Sequence, residues 1–225
     1  MKNQSKKMFD ARSLAVTAML CALAYIAMFV FKFKVGFLTF DFKDAIISIV
    51  SLINGPIMGV ISAFVVALLE LVTVSDTGLY GFIMNFLSSG IFALAVGLIY
   101  KHKRSFGGAL LSAVTAVFSV TAVMLLANLF ITPFYMGVER DVVIGMLASM
   151  LLPFNLCKSL MNAALMLILY KPLITALRKA HLIKASPTQY SFSIKTLLMI
   201  IGAVIVIVLS ALFLILHMEG TFSII

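Results

Sequence analysis

Long apolar runs without charges are the feature that most constrains how this chain can fold. Of its 225 residues, 63% are hydrophobic and only 11% are charged, whereas soluble domains carry about 25% charged residues. Runs of roughly 18 or more apolar residues match the length that an α-helix needs to cross ~30 Å of hydrocarbon. A helix satisfies its own backbone in lipid, and the ~10-residue alternating segments of a membrane β-barrel do not occur in the sequence. The sequence therefore predicts an all-α, multi-pass membrane protein.

Seven apolar segments are separated by short polar connections. They lie near residues 12–31, 43–54, 56–74, 79–100, 107–130, 145–170 and 194–217. The second segment is short, roughly 18 Å at 1.5 Å per residue. Asn54-Gly55-Pro56 separates it from the third, because Asn-Gly favours a turn and proline disfavours helix at the preceding residue. We therefore predict two helices here, the first of them tilted, extended or shielded by its neighbours.

The charges support this division. With seven helices and a cytoplasmic N-terminus, twelve of the seventeen basic residues lie inside and seven of the eight acidic residues lie outside. A single helix over residues 43–74 would move the basic cluster at 101–104 outside, against the positive-inside rule. The net charge of +9 is then explained by topology signals and anionic lipid headgroups rather than by nucleic acid. We predict a multi-pass cell-membrane protein with its N-terminus in the cytoplasm.

The same segments give a domain organisation. Residues 1–11 form a cytoplasmic N-terminus, 12–184 a six-helix membrane domain, 185–193 a polar linker and 194–217 an additional transmembrane helix. Because Ser210 is the one polar residue inside that last helix, we expect the helix to face lipid and to carry no chemistry.

Small residues form a stripe along the first helix. They are Ala11, Ala15, Ala18 and Ala22, spaced i, i+4, i+7 and i+11 on one face. Small faces let helices approach closely in lipid. The pattern is compatible with packing inside the chain and with docking of a partner protein.

Polar residues at membrane depth are costly and are functional candidates by default. Asn155, Lys158 and Asn162 are spaced i, i+3 and i+7, so they share one helix face. A ligand pocket is one explanation for this face, and a lysine that snorkels or forms a structural ion pair is the other. Asn85 and Asn128 are further candidates, with interhelical hydrogen bonding as the alternative. Glu70 is interpreted as structural.

The first outer loop alternates polar and aromatic residues, among them Thr39, Phe40 and Asp41. Such residues are common at membrane interfaces, but they also suit a lid over a planar ligand with polar edges. The stretch ANLFITPFYMGVERD at 127–141 has a similar character. There we expect Pro133 to end a helix and to place Tyr135 at the rim of a pocket.

Signatures of catalysis are missing from the sequence. There is no GxxxxGK[ST] phosphate loop and no HExxH motif. Cys21 and Cys157 are isolated in apolar stretches, which is typical of small apolar side chains rather than of a disulfide or a metal site. We predict a binding protein without enzymatic activity, cofactor or metal, in which an intramembrane enzyme is the least favoured alternative.

Four stretches carry a family resemblance: the first helix with AMLCA, FLTFDFKDAI…NGPIMG, ANLFITPFYMG and LPFNLCKSLMNA. In this order, over residues 10 to 172, the chain resembles the substrate-binding (S) subunit of energy-coupling factor (ECF) vitamin transporters, most closely the riboflavin-specific type. The resemblance implies a six-helix fold with one riboflavin near the outer face. It implies ligand contacts from Thr39, Asp41, Asn85, Asn128, Tyr135, Asn155 and Lys158. To these we add Phe40 from the loop and Asn162 from the shared helix face as candidates.

The resemblance also implies partners. The alanine face of the first helix would dock a transmembrane coupling subunit that carries two cytoplasmic ATPases. Two features depart from the family pattern: the additional helix at 194–217, and Ala45 where a proline is often found after the Asp of the loop. An S subunit for another vitamin or precursor, and a non-transport scaffold that recruits a partner through the alanine face, are the alternative functions.

Overall fold

The structure, a computed structural model, describes residues 10–30, 33–183, 194–218 and 221–222. The expected linker and nearly all of the expected N-terminal segment lie outside these ranges. The helices are α1 Ala11–Val30, α2 Lys43–Asn54, α3 Pro56–Thr73, α4 Gly78–His102, α5 Phe106–Met136, α6 Arg140–Met146, α7 Leu152–Lys179 and α8 Ile194–Met218. A π-helical turn, Leu147–Leu151, joins α6 to α7, and the strands are β1 Phe33–Val35, β2 Leu38–Phe40 and β3 Thr221–Phe222.

The helices confirm the predicted all-α membrane bundle. Within the described ranges, six helices are long and apolar enough to cross a membrane: Ala11–Val30, Pro56–Thr73, Gly78–His102, Gly107–Met136, Arg140–Lys179 and Thr196–Met218. The short α2 is a central element, because every residue from Lys43 to Leu52 is buried. It packs against α1, α3, α4 and α7, which shields its polar residues from lipid.

The break between α2 and α3 follows the predicted turn. Gly55 has φ +95°, a left-handed conformation that glycine adopts at little cost, and Pro56 is the first residue of α3. Gly97 of α4 packs against this point, since a Cβ added there would come within 2.7 Å of the Pro56 Cα. The absence of a side chain at Gly97 therefore lets α4 approach the start of α3.

The end of α5 differs from the prediction. Pro133 lies inside the helix, which continues to Met136, so the expectation that Pro133 ends it is wrong. Proline removes only its own backbone donor, and here a single turn of helix follows it. Gly137 ends the helix instead, with φ +65° and its N–H donated to the Pro133 carbonyl.

A small sheet lies at one end of the bundle. Strands β1 and β2 form an antiparallel hairpin in which Phe33 pairs with Phe40 and Val35 with Leu38. Strand β3 pairs antiparallel with the other edge of β1, giving the order β2-β1-β3. The C-terminal end of α8 therefore lies at the same end of the bundle as the first loop, which agrees with the predicted helix parity.

Candidate functional site

A cavity lies beneath the β1–β2 hairpin at this end of the bundle. Its walls come from the hairpin, the end of α3, the first half of α4, the second half of α5 and the start of α7. Its volume is about 140 Å³, which is below the roughly 300–1,000 Å³ of typical small-molecule pockets.

Helical periodicity aims side chains from α4 and α5 into the cavity. On α4 the lining includes Tyr80, Met84 and Ser88, and on α5 it includes Met124, Asn128, Thr132 and Tyr135. Spacings of three and four residues keep these side chains on one face of each helix. The lining therefore mixes hydroxyls and amides with methionine and aromatic surface.

The nine candidate ligand-binding residues divide into two groups. The six that line the cavity are Thr39, Asn85, Asn128, Tyr135, Asn155 and Lys158. Phe40, Asp41 and Asn162 are buried and lie outside the lining. Phe40 packs against Phe42 with ring centroids 4.8 Å apart, which places it in the apolar layer behind the hairpin.

Lys158 connects the hairpin to α7. Its Nζ donates to the Thr39 carbonyl at 3.3 Å and lies 3.6 Å from the nearer Asp41 carboxylate oxygen. The side chain is 7% exposed, so it does not snorkel to the surface. Lys158 therefore forms a structural ion pair, which was one of the two explanations considered. It also lines the cavity, and its contact with a ligand stays a prediction.

A second lysine completes the buried ion cluster. The Lys43 Nζ lies 3.2 Å from Asp41 and 2.7 Å from Glu70, and Lys43 is only 1% exposed. Removal of one partner from a buried pair is strongly destabilising, because an uncompensated charge remains. Glu70, interpreted from the sequence as structural, forms this pair and also lines the cavity.

Asp41 is ionised within this cluster. Burial alone would raise the pKa of its carboxyl, but the charges of Lys158 and Lys43 outweigh burial and hold this pKa at about 2, below the ordinary value of 3.8. Asp44 is held from α4, where Ser88 donates to one carboxylate oxygen at 3.1 Å and Ser89 donates to the other. The connection from β2 to α2 is thereby held by Lys158 of α7, by Glu70 of α3 and by the two serines of α4.

Asn162 bonds to the backbone of that connection. Its Oδ1 accepts from the Ala45 N–H at 2.9 Å, and its Nδ2 donates to the Asp41 carbonyl at 2.9 Å and the Lys158 carbonyl at 3.1 Å. These bonds occupy both ends of the amide. The structure therefore gives Asn162 a positioning role one helical turn below the cavity.

The three asparagines that line the cavity retain hydrogen-bonding capacity. Asn128 donates to the Met124 carbonyl and accepts from Thr132, while Asn155 donates to the Leu151 carbonyl. Asn85 forms no side-chain hydrogen bond within the part of the chain that the structure describes. Amides offer donors and acceptors together, so this wall suits a ligand edge that carries both.

Aromatic rings gather at the mouth of the cavity. Tyr135 lies 6.5 Å, centroid to centroid, from both Phe37 and Tyr80, and all three line the cavity. Sequence reasoning did not select Tyr80. It lies near the start of α4, five residues before Asn85, and no sequence signal separates it from an ordinary interface aromatic.

The alanine face of α1 points away from the other helices that the structure describes. Ala11, Ala15, Ala18 and Ala22 are all exposed, whereas Val16, Leu20 and Ala24 pack inside. Internal helix packing therefore does not account for the stripe. Among the described residues, no group of three or more His, Cys, Asp or Glu side chains could hold a metal ion.

Comparison with known proteins agrees with this architecture. Residues 12–174 match the family model described as ECF transporter, substrate-specific component. The chain is 30% identical over 179 residues to the riboflavin transporter RibU of Staphylococcus aureus (strain TCH60). This alignment covers 75% of this chain and 93% of that protein.

A solved structure agrees as well. It is described as the structure and mechanism of the S component of a bacterial ECF transporter, and it matches with a TM-score of 0.63 and 30% sequence identity over 74% of this chain and 97% of that one. The resemblance inferred from the four sequence stretches is thus confirmed at the level of the family. This chain belongs to the substrate-specific (S) components of ECF transporters.

Proposed function

We propose that this chain binds riboflavin with high affinity in the cavity beneath the β1–β2 hairpin, for uptake by an ATP-driven ECF transporter. The observation that carries the proposal is the combination found in one cavity, where an aromatic mouth leads to a wall of three amides and a lysine. The 30% identity to a riboflavin transporter supports it.

The chemistry of riboflavin suits this lining. Its three-ring isoalloxazine is planar and apolar over most of its area, and aromatic side chains provide matching surface. The pyrimidine edge of the ring system has one N–H donor between two carbonyl acceptors, a pattern that amides can pair with on both sides. Hydroxyl and carboxylate groups such as those of Thr132 and Glu70 suit the ribityl chain.

The energy for uptake would come from partner subunits. The cavity lining contains no phosphate loop. The proposed docking face is the exposed alanine stripe of α1, which would contact a transmembrane coupling subunit with two attached ATPases. The chain itself would sit in a prokaryotic cell membrane with its N-terminus in the cytoplasm.

Flavin content tests the proposal directly. Protein purified in detergent from riboflavin-replete cells should show flavin absorbance at close to one riboflavin per chain. Ligand-free protein should quench added riboflavin fluorescence and melt at a higher temperature with riboflavin. Thiamine and biotin serve as matched competitors. Absence of bound flavin together with no response to added riboflavin would refute the proposal, and a response to a competitor alone would assign another vitamin.

A further inference from the structure

The C-terminal helix is part of the structure around the cavity rather than a separate appendage. Helix α8 and strand β3 lie beyond residues 12–174, which match the family model. Nevertheless, β3 adds a third strand to the hairpin that covers the cavity. Residues 33 and 34 of β1 pair with residues 222 and 221 of β3.

One face of α8 packs into the layer behind the hairpin. Leu214 is 1% exposed and shares an apolar cluster with Val35 and Phe40 of the hairpin and with Phe154 of α7. Ile207, Ala211 and Met218 pack against the same cluster. Together with Leu214 they are spaced i, i+4, i+7 and i+11, which is one face of a helix. The expectation that α8 faces lipid and nothing else is therefore corrected for this face.

Contacts with α7 fix α8 at two further points. Near its start, the Lys171 Nζ of α7 donates to the Thr196 hydroxyl. Nearer its end, Leu214 shares the buried apolar cluster with Cys157 of α7. Cys157 is one residue before Lys158, whose Nζ donates a hydrogen bond to the Thr39 carbonyl. Contacts from α8 therefore reach the part of α7 that carries the cavity wall.

The hairpin needs such support because of its size. It has three residues in each strand, and an isolated two-stranded hairpin is marginally stable at best. Phe37, Leu38 and Thr39 of the hairpin line the cavity. Val35 and Phe40 belong to the apolar cluster that contains Leu214, and Leu38 also packs against this cluster.

We infer that α8 and β3 are positioning elements for the ligand site, which hold the hairpin over the cavity and thereby slow the exchange of ligand. The inference adds to the proposed riboflavin site and rests on it for the identity of the ligand. It assigns no ligand contact to α8, which acts through Leu214 and through the pairing of β3 with β1.

Two leucines of α8 provide a matched test in the full-length chain. Leu214→Ala removes the buried contact, while Leu216→Ala removes the same side chain from a position that is 72% exposed. We expect Leu214→Ala to release riboflavin about tenfold faster. Truncation of a core leucine is destabilising, and because Leu214 packs against the hairpin, part of the lost stability is lost from the hairpin. Backbone amides of residues 33–40 should exchange faster with deuterium in ligand-free Leu214→Ala, and Leu216→Ala should match the unaltered protein in both measurements.

A disulfide cross-link between β1 and β3 provides a second test, because it strengthens the strand pairing instead of weakening the contacts of α8. Lys34 and Thr221 are paired across β1 and β3. Directly opposed residues of antiparallel strands have Cα atoms about 4.5–5.5 Å apart, within the ~4.4–6.8 Å that a disulfide spans. In a background with Cys21→Ala and Cys157→Ala, the pair Lys34→Cys with Thr221→Cys should form a disulfide on oxidation. The oxidised protein should release riboflavin more slowly than its own reduced form, and Lys34→Cys alone should show no redox effect.

The outcomes separate this inference from the proposed function. If the unaltered protein binds riboflavin, and Leu214→Ala changes neither its release nor amide exchange in the hairpin, the inference is overturned. Equal release from the oxidised and reduced double-cysteine protein would also overturn it. If the unaltered protein binds no riboflavin, faster amide exchange in Leu214→Ala still supports the positioning role while the proposed ligand fails.

Discussion

Replacement of Asn162 by alanine should lower the stability of the protein by about 3 kcal/mol. The substitution removes buried hydrogen bonds to the Ala45 N–H, the Asp41 carbonyl and the Lys158 carbonyl. Each such bond contributes about 1 kcal/mol net, and a buried group left without a partner costs about 1–3 kcal/mol. For a chain of this size the loss corresponds to a fall in melting temperature of roughly 6–12 °C.

The assay follows from the composition. The chain has no tryptophan and two cysteines, both free and buried, so a thiol-reactive fluorophore reports unfolding of ligand-free protein in detergent. Asn85→Ala is the control, since Asn85 forms no side-chain hydrogen bond with the described residues and should melt within about 2 °C of the unaltered protein. If Asn162→Ala melts normally but loses riboflavin binding, then Asn162 contacts the ligand directly and the reasoning is refuted.

Three further predictions test the cavity, the docking face and the ion cluster. Lys158→Ala should weaken riboflavin binding about tenfold or more, measured by fluorescence quenching, with the folded state retained because Lys43 still pairs with Asp41; unchanged affinity would place the ligand elsewhere. Ala22→Leu should leave riboflavin affinity unchanged but abolish co-purification with the coupling subunit and uptake into cells, since a larger side chain blocks close helix approach; normal co-purification would refute this docking face. Because the pKa of Asp41 is held at about 2, its ion pairs should stabilise the protein fully above pH 4 and lose this effect as the pH falls from about 4 to 2. Thermal melts across pH 2–7 check this, and a steep loss above pH 5 that disappears in Asp41→Asn would contradict the assignment.

The helices were predictable because their signals are local. Apolar length defined α1, α3, α4 and α8, and the turn residues Asn54-Gly55-Pro56 defined the boundary of α2. The end of α5 was harder to place. Pro133 and Gly137 are both helix-terminating residues, and the sequence alone does not show which of them adopts the conformation that stops the helix.

The sequence predicted which helix face carries the candidate site residues, but not which of them line the cavity. Spacing placed Asn155, Lys158 and Asn162 on one face of α7, and all three do face the interior. What lies opposite each residue depends on tertiary packing. Asn155 and Lys158 meet the cavity, whereas Asn162 meets the buried start of α2, whose free backbone N–H at Ala45 needs an acceptor.

Two other features carried no usable sequence signal. Tyr80 at the start of α4 has the composition of an ordinary interface aromatic, and its role at the cavity mouth appears only with Tyr135 opposite it. Strand β3 consists of two residues, too few to show a period of two. Its existence depends on an edge of β1 that the sequence does not reveal.

The pairing of β3 with β1 also has a consequence for biosynthesis. Phe33 and Phe222 are opposed in the sheet, although almost the whole chain separates them in sequence. Contacts between such distant residues form slowly, since the entropy lost on closing the intervening loop opposes them. A ribosome delivers β1 before helices α2 to α8, and it delivers β3 after all of them. A nascent chain can therefore assemble the walls of the cavity as its helices insert, but its three-stranded roof is completed only after α8 has entered the membrane.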